Sequence, residues 1–311
     1  MTAPTNTLQT YQAIGIREDL SDVIWRITPT QTPFMSSIAK VKAAQTLHEW
    51  QTQDLAANAN NAQIEGDDAS AGAITATVRL TNRTQISTKT VIVSGTQRAV
   101  NTAGRSDELA YQLSLKALEL KRDMETALCQ NTTRVDGNAT TARQLRGLEG
   151  WINTNASFGA GGAAGNPYTN TAPTAGTGRA LTEGLVKGVL VSAWNAGGNP
   201  DTVMVGGTQK QNFSTFTGNS TRFKKAEDGR LVASIDVYES DFGELTVVAN
   251  RFQTTSSLNI LEMSKWAFAT LRPFQTVELA KTGDADKRML IVEYTLEARQ
   301  EKASGIVRDL T

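Results

Sequence analysis

Histidine and cysteine carry much of the nucleophilic and zinc chemistry of proteins, and this 311-residue sequence contains one of each, His48 and Cys129. A Ser-His-Asp triad could be built only around His48, which lies in an extended stretch for which we predict no structured neighbourhood. One His and one Cys cannot complete the usual zinc ligand sets. Cys129 falls late in a predicted helix, where a small buried hydrophobic residue is a better interpretation than a nucleophile.

The other groups that could do chemistry are charged clusters, namely the acidic pairs Asp67 with Asp68 and Asp284 with Asp286, and the basic group Arg222, Lys224 and Lys225. Neither acidic pair matches a calcium loop, and three basic charges in a loop are usually solvated. The glycine-rich run 159–165 lacks the Lys-Ser/Thr of a phosphate-binding loop. We therefore predict no catalytic residue, no metal site and no cofactor, and the sequence does not indicate an enzyme.

The composition narrows the class of protein. Lys plus Arg and Asp plus Glu each number 31, so the net charge is zero, whereas a dedicated nucleic-acid binder would show a basic excess. A chain near neutrality has little colloidal repulsion and tolerates association. The sequence has no run of about eighteen or more apolar residues that could span a membrane. Its first residues also lack a signal-peptide pattern.

The longest helix is predicted at residues 106–130. Apolar residues recur there at spacings of three and four, which places them on one face; they are Leu109, Leu113, Ala117, Leu120, Met124 and Leu128. Ser106 is a candidate N-cap, and Lys121 with Glu125 is a candidate i,i+4 ion pair. At ~1.5 Å per residue the helix would span roughly 37 Å. This length predicts a core helix on which the extended segments of the chain pack.

Residues 45–95 predict a long two-stranded arm. The stretch 74–81 alternates apolar with polar side chains, 47–53 is a weaker strand candidate, and 85–94 continues as extended chain. Between them, residues 56–72 form a tip of small and polar residues. With ~20 residues a side at ~3.3 Å each, the arm could reach roughly 65 Å. Because a lone two-stranded ribbon is marginal in water, this arm is either disordered or supported by something outside the chain.

The rest of the chain predicts short helices and hairpin-connected strands, which together give an α+β fold. An amphipathic piece at 17–27 predicts a small docking helix on an N-terminal arm. The other predicted elements are helices at 181–195 and 209–216, strands at 202–205, 231–239, 244–249, 258–262, 267–271, 276–280, 289–297 and 305–310, and a hairpin turn at 240–243.

Several strings, taken together and in their order, resemble one protein family. They are REDLSDVI at 17–24 with TPF at 32–34, VYESDFG at 237–243 with NRF at 250–252, the tryptophan at 266 with LRPF at 271–274, and LAKTGD at 279–284 with EYTLE at 293–297. In these strings, and in its order of arm, extended loop, long helix and return strands, the chain resembles the major capsid proteins of tailed phages, those with the Hong Kong 97 fold. The comparison covers all 311 residues.

The resemblance implies an α+β, Hong Kong 97-like subunit in four parts: an N-terminal arm at 1–44, an extended loop at 45–95, a peripheral domain with the spine helix at 96–135 and 268–300, and an axial domain at 136–267 and 301–311. It implies self-assembly, in the host cytoplasm, into the icosahedral head of a virion that encloses double-stranded DNA. The implied partners are other copies of the chain, as hexamers and pentamers, then portal, scaffolding and decoration proteins, and DNA bound non-specifically. No membrane partner is implied.

Two departures from the family bear on how such a shell is held. Some members carry a large N-terminal scaffolding segment, and none precedes the arm here. Some members are crosslinked through a lysine near the loop tip, but residues 50–88 contain no lysine. We therefore predict a non-covalent contact between an acidic tip and basic residues of a neighbouring copy, with Glu65, Asp67 and Asp68 near Arg222, Lys224 and Lys225.

Two other classes of protein share some of these features. A tail or adhesive β-rich module has a similar content of Thr, Asn and Gly, but it has no need of a spine helix preceded by a long arm. A small-ligand α/β enzyme could use the strand, two glycines and helix at 202–216, but no titratable residues converge there.

Overall fold

The computed structural model describes residues 30–66, 68, 72–100, 107–216 and 236–311. The predicted docking helix at 17–27 lies outside these residues. The helices are α1 (Pro33–Ser37), α2 (Gly95–Ala99), α3 (Glu108–Gln130), α4 (Leu148–Trp151), α5 (Glu183–Asn195) and α6 (Gly207–Ser214). The strands are β1 (Ala39–Lys42), β2 (Leu47–Thr52), β3 (Val78–Arg83), β4 (Gln85–Ser94), β5 (Ala156–Ser157), β6 (Thr202–Val205), β7 (Val237–Ser240), β8 (Gly243–Ala249), β9 (Leu258–Leu261), β10 (Trp266–Leu279), β11 (Ala285–Ala298) and β12 (Gly305–Val307).

The helix α3 is the long helix that the apolar stripe predicts. The Asp107 side chain caps it by accepting the Leu109 N–H at 3.0 Å. Ser106, the predicted cap, lies outside the described residues. Four residues of the predicted stripe are buried and the other two are half-buried, namely Leu109, Leu120, Met124 and Leu128, then Leu113 and Ala117. The prediction that this stripe faces the core is confirmed.

The predicted ion pair between Lys121 and Glu125 is wrong. Lys121 is exposed, whereas Glu125 is fully buried and accepts the backbone N–H groups of Phe34 and Met35 at 2.8 and 2.9 Å. Asn250 Nδ2 donates to the same carboxylate at 2.8 Å. Glu125 turns inward because the first N–H groups of α1 have no partner within that helix. Its carboxylate therefore fixes α1 and the loop after β8 to α3.

The helix α3 packs on a four-stranded sheet with the order β1-β10-β11-β4. Two strands were predicted at 267–271 and 276–280, but the structure has one strand of 14 residues, β10. Its register with β11 shifts on both sides of Arg272. Pro273 falls in this irregular stretch, where a residue without an N–H is tolerated. The proline and the register shift explain why the sequence pattern looked like two strands.

A six-stranded sheet, ordered β5-β12-β9-β6-β8-β7, forms the second half of the subunit. α5 covers one of its faces, and Val186 and Leu190 of this helix share a buried cluster with Val203 and Ile260 of the sheet. The predicted hairpin between β7 and β8 is confirmed, with Gly243 at a φ of +133° in its turn. The predicted strand 231–239 lies partly outside the described residues.

The paired part of the predicted arm is shorter than the sequence indicated. β2 pairs with β3 over six residues each. The stretch 85–94, predicted to continue the arm, forms β4 and pairs with β11 in the four-stranded sheet. Leu80 is buried and the half-buried Trp50 packs against the main core. The base of the arm is therefore supported by its own subunit, and residues 53–77, called the extended loop below, connect β2 to β3.

Candidate inter-subunit surface

The extended loop has little contact with its own chain. All of its described residues, 53–66, 68 and 72–77, are exposed. At its base, Gln53 Nε2 donates to the Thr75 carbonyl at 2.8 Å, and Thr77 Oγ1 donates to Gln51 Oε1 at 2.9 Å. These bonds close the base of the loop, and the described residues beyond Asp54 are presented to its surroundings.

Three large apolar side chains lie on the extended loop. Leu55 and Ile74 are each 96% exposed, and Ile64 is 79% exposed. Burying one such side chain contributes ~1.5–3 kcal/mol. Single exposed apolar residues are ordinary on a protein surface. The extended loop thus carries three large apolar side chains that its own subunit leaves exposed.

The predicted acidic tip is only partly described. Glu65 is exposed and lies in a turn with Gly66, whose φ is +83°. Asp68 is also exposed. Asp67 lies outside the described residues, and so do all members of the predicted basic group, Arg222, Lys224 and Lys225. The contact between these two groups on neighbouring copies therefore stays a prediction.

The loop is anchored where β2 meets the last residues of β11. His48 Nε2 lies 2.9 Å from Glu297 Oε2, and Trp50 Nε1 donates to the Ala298 carbonyl at 2.7 Å. The prediction that His48 has no structured neighbourhood is wrong, because Trp50 packs beside it and Glu297 faces it. Trp50 is a lone tryptophan in a polar stretch of the sequence, and this is the signal from which the anchor could have been predicted. We call His48, Trp50 and Asp54 the loop root.

Asp54 is the outermost member of the loop root. Its carboxylate accepts Gln300 Nε2 at 2.7 Å and pairs with Lys302 Nζ. The hydrogen bond from Lys302 lowers the pKa of Asp54, and the same bond raises the pKa of Lys302. A hydrogen bond from His48 lowers the pKa of Glu297 in the same way. Both carboxylates are therefore ionised near neutral pH, and Asp54 holds Lys302 by a charge-assisted hydrogen bond.

The buried carboxylate of Glu293 fixes the junction at which β3 passes into β4. Glu293 is 4% exposed and accepts Thr84 Oγ1, Arg143 Nη2 and Arg272 Nε at 2.8, 2.7 and 2.8 Å. The two arginines neutralise the carboxylate, as a buried charge requires. Arg272 lies at the register shift of β10, so Glu293 joins this irregular point to the base of the arm. Glu293 stood in a predicted strand, and its partners are too distant in sequence to have been inferred from spacing.

The described residues contain neither a candidate metal cluster nor a candidate membrane-spanning helix. No group of three His, Cys, Asp or Glu side chains within them could hold a metal ion. Cys129 is fully buried, and burial raises the pKa of its thiol well above 9.0, which fits the predicted buried hydrophobic residue. Within the same residues, no helix is long and apolar enough to cross a membrane.

Comparison with known proteins identifies the family. A family model described as SU10 major capsid protein matches residues 3–311. The chain belongs to the SU10 major capsid protein family. A curated relative, the major capsid protein of Escherichia phage Phieco32, is 28% identical over 339 aligned positions, which cover 96% of this chain and 95% of the relative.

Solved phage structures share the fold of this SU10-type capsid protein. The cyanophage A-1(L) capsid asymmetric unit matches with a TM-score of 0.65 at 14% identity, covering 97% of this chain and 98% of that one. The capsid of the native GTA particle matches with a TM-score of 0.64 at 11% identity and the same coverage. The predicted α+β, Hong Kong 97-like fold is confirmed.

Family membership also confirms the predicted function. This protein is a phage major capsid protein, a subunit of the icosahedral head shell that encloses the DNA. It is therefore located in the virion. Its principal partner is therefore other copies of itself. Among the described residues, the two most exposed large apolar side chains, Leu55 and Ile74, lie on the extended loop.

Proposed function

We propose that the extended loop is a docking element that binds a neighbouring copy in the shell without a covalent bond. The observation that supports this proposal is the exposure of Leu55, Ile64 and Ile74 on a loop that its own subunit does not cover. Another copy of the chain is always present beside it in a shell, and burial of the three side chains would favour association. The acidic residues Glu65, Asp67 and Asp68 would add pairing with Arg222, Lys224 and Lys225 of that copy, which salt would weaken.

The other functional assignments are part of the same proposal. We assign the arm to residues 1–44, the extended-loop region to 45–95, the peripheral domain to 96–135 and 268–300, and the axial domain to 136–267 and 301–311. Within the second of these regions, residues 53–77 provide the contact. Copies would form hexamers and pentamers in the host cytoplasm, meet portal, scaffolding and decoration proteins, and touch double-stranded DNA non-specifically. The protein would act structurally and not as an enzyme.

Replacing residues 55–75 with a short Gly-Ser linker should leave a folded subunit that does not close shells. Trp50 and Leu80 stay in place, so the thermal unfolding temperature of the isolated subunit should change little, while negative-stain microscopy should show no closed particles. Normal particles from this variant would contradict the proposal. Loss of the folded subunit would show instead that the loop belongs to the subunit's own core.

Two matched variants of full length separate the apolar from the charged contribution to this contact. Leu55→Ser, Ile64→Ser and Ile74→Ser together remove the apolar side chains and keep the charges. Glu65→Gln, Asp67→Asn and Asp68→Asn together do the reverse. We expect the first variant to lose assembly at every salt concentration. The second should resemble wild-type shells at high salt, where the charge pairs are already screened.

Mature particles boiled in denaturing detergent should run as one band at the monomer mass of 33.4 kDa. An isopeptide bond needs a lysine amine close to an Asn or acidic partner. Residues 50–88 contain no lysine, and Lys89 pairs with Asp123 of α3 at 2.7 Å. A ladder of multimers in the gel would show that the shell is covalently linked. Purified unassembled subunits on the same gel provide the control for the monomer position.

A further inference from the structure

The loop root binds a segment that connects the two sheets of the subunit. Residues 297–304, called the crossover here, run from the end of β11 to the start of β12. β11 belongs to the four-stranded sheet and β12 to the six-stranded sheet. The contacts of the root fall at successive points along this crossover, since His48 meets Glu297, Trp50 meets Ala298, and Asp54 meets Gln300 and Lys302.

The crossover is itself fixed to the six-stranded half of the subunit. The Glu301 carboxylate is 3% exposed and accepts the backbone N–H groups of Asn153 and Thr154, each at 3.1 Å. Asn155 Nδ2 donates to the Lys302 and Ser304 carbonyls at 2.6 and 3.0 Å. On the other side, the Arg299 N–H donates to the Lys265 carbonyl at 2.9 Å, just before β10. A movement of one sheet against the other would therefore move the crossover and the residues bound to it.

We propose that the loop root sets the direction in which the extended loop leaves the subunit, and so couples the placement of the two sheets to the curvature of the shell. This inference rests on the proposed docking of the loop on a neighbouring copy. Contacts over residues 48–54 fix the line of β2 at more than one point, so the strand cannot pivot about a single bond. Asp54, the last of these contacts, holds the chain where it enters the loop.

Because the extended loop is long, a small change in the direction of the chain at the loop root moves the tip of the loop by a large distance. About 11 residues separate Asp54 from Glu65, and a fully extended chain of that length spans at most ~36 Å. A turn of about 10° at the root would then displace the tip by up to ~6 Å, more than the ~3 Å length of a hydrogen bond. A displacement of this size would recur in every copy of a symmetric assembly. It would therefore change the angle between neighbouring subunits.

The test is a root variant, Trp50→Phe with Asp54→Ala. Phenylalanine retains an aromatic ring but cannot donate to the Ala298 carbonyl, and alanine cannot accept from Gln300 or Lys302. The Asp54 and Lys302 side chains are 51% and 36% exposed, so losing their pair should change the unfolding temperature by no more than about 2 °C. We expect shells to form, with the fraction at the wild-type diameter lower by about twofold or more.

The matched control is Glu49→Ala with Arg79→Ala. These two residues form an ion pair within the same β2–β3 ribbon, and Glu49 lies on the opposite side of β2 from His48 and Trp50, because side chains alternate along a strand. This variant should give shells of wild-type diameter, as measured for both variants by electron microscopy. If Trp50→Phe lowers the unfolding temperature substantially, Asp54→Ala alone supplies the comparison.

A wild-type distribution of diameters from the root variant, or equal broadening in the control, would overturn the inference. The replacement of residues 55–75 distinguishes this failure from failure of the proposed function. If that replacement prevents assembly while the root variant builds uniform shells, the loop docks on a neighbouring copy but the loop root does not set its direction. If the replacement itself builds normal shells, the docking proposal fails as well.

Discussion

Replacing Leu120 with alanine is expected to lower the free energy of unfolding of the isolated subunit by about 2–5 kcal/mol. Leu120 is 1% exposed and belongs to the buried cluster that includes Leu290, Tyr294 and Leu296 of β11. Truncation removes apolar contacts and leaves a cavity that the sheet and α3 can fill only in part. Urea unfolding of the isolated subunit, followed by circular dichroism, measures the change.

Two other positions on the same helix provide controls for the Leu120 experiment. Leu113 is half-buried, so Leu113→Ala should cost clearly less than Leu120→Ala. Met124→Leu nearly conserves volume and should cost less than about 1.5 kcal/mol. Equal losses at Leu113 and Leu120 would contradict the assignment of the core face of α3.

Replacing Glu125 with alanine should destabilise the isolated subunit at pH 7 by on the order of 3 kcal/mol, because each buried donor left without an acceptor costs about 1–3 kcal/mol. The donors are the Phe34 and Met35 N–H groups and Asn250 Nδ2. Glu125→Gln keeps one acceptor oxygen and should lose less. Chemical denaturation at constant pH compares the two variants, and equal stability of wild type and Glu125→Ala would contradict the role of Glu125.

Glu125 also predicts a dependence of stability on pH. Burial is the largest cause that raises the pKa of this carboxyl above 4.5. A group whose pKa is higher in the folded state contributes stability that is complete below the unfolded value and is lost as the pH rises through the folded value. The stability of wild type relative to Glu125→Gln should therefore be greatest below about pH 4.5 and fall toward neutral pH. A difference that stays constant across this range, measured by denaturation at each pH, would contradict the burial argument.

Local patterns predicted the elements of this protein well. The spacing of Leu109, Leu120 and Leu128 identified the core face of α3, because a helix places residues three and four apart on one side. The turn before Gly243 was predicted from residues that form hairpins. Long-range pairing was predicted poorly, since 85–94 was assigned to the arm and not to the four-stranded sheet. A strand pattern shows that a segment is extended, but it does not name the strand that pairs with it.

The sequence by itself determined the class of protein and the absence of a recognisable catalytic motif. A single histidine, a single cysteine and balanced charges limited the chemistry, and the resemblance to tailed-phage capsid proteins, carried by short strings and by the order of arm, loop, long helix and return strands, indicated a shell subunit. These conclusions depend on residue counts, on short strings and on the linear order of elements, which folding does not change.

Tertiary structure alone decided where the polar side chains point. Glu125 looked like half of a surface ion pair, because spacing along a helix shows only its own neighbours. Its partners in α1 are about 90 positions away. His48 and Trp50 meet residues almost 250 positions later. Folding brings such groups together because a buried charge or donor must find a partner somewhere in the dry interior, and the sequence does not say which distant segment will provide it.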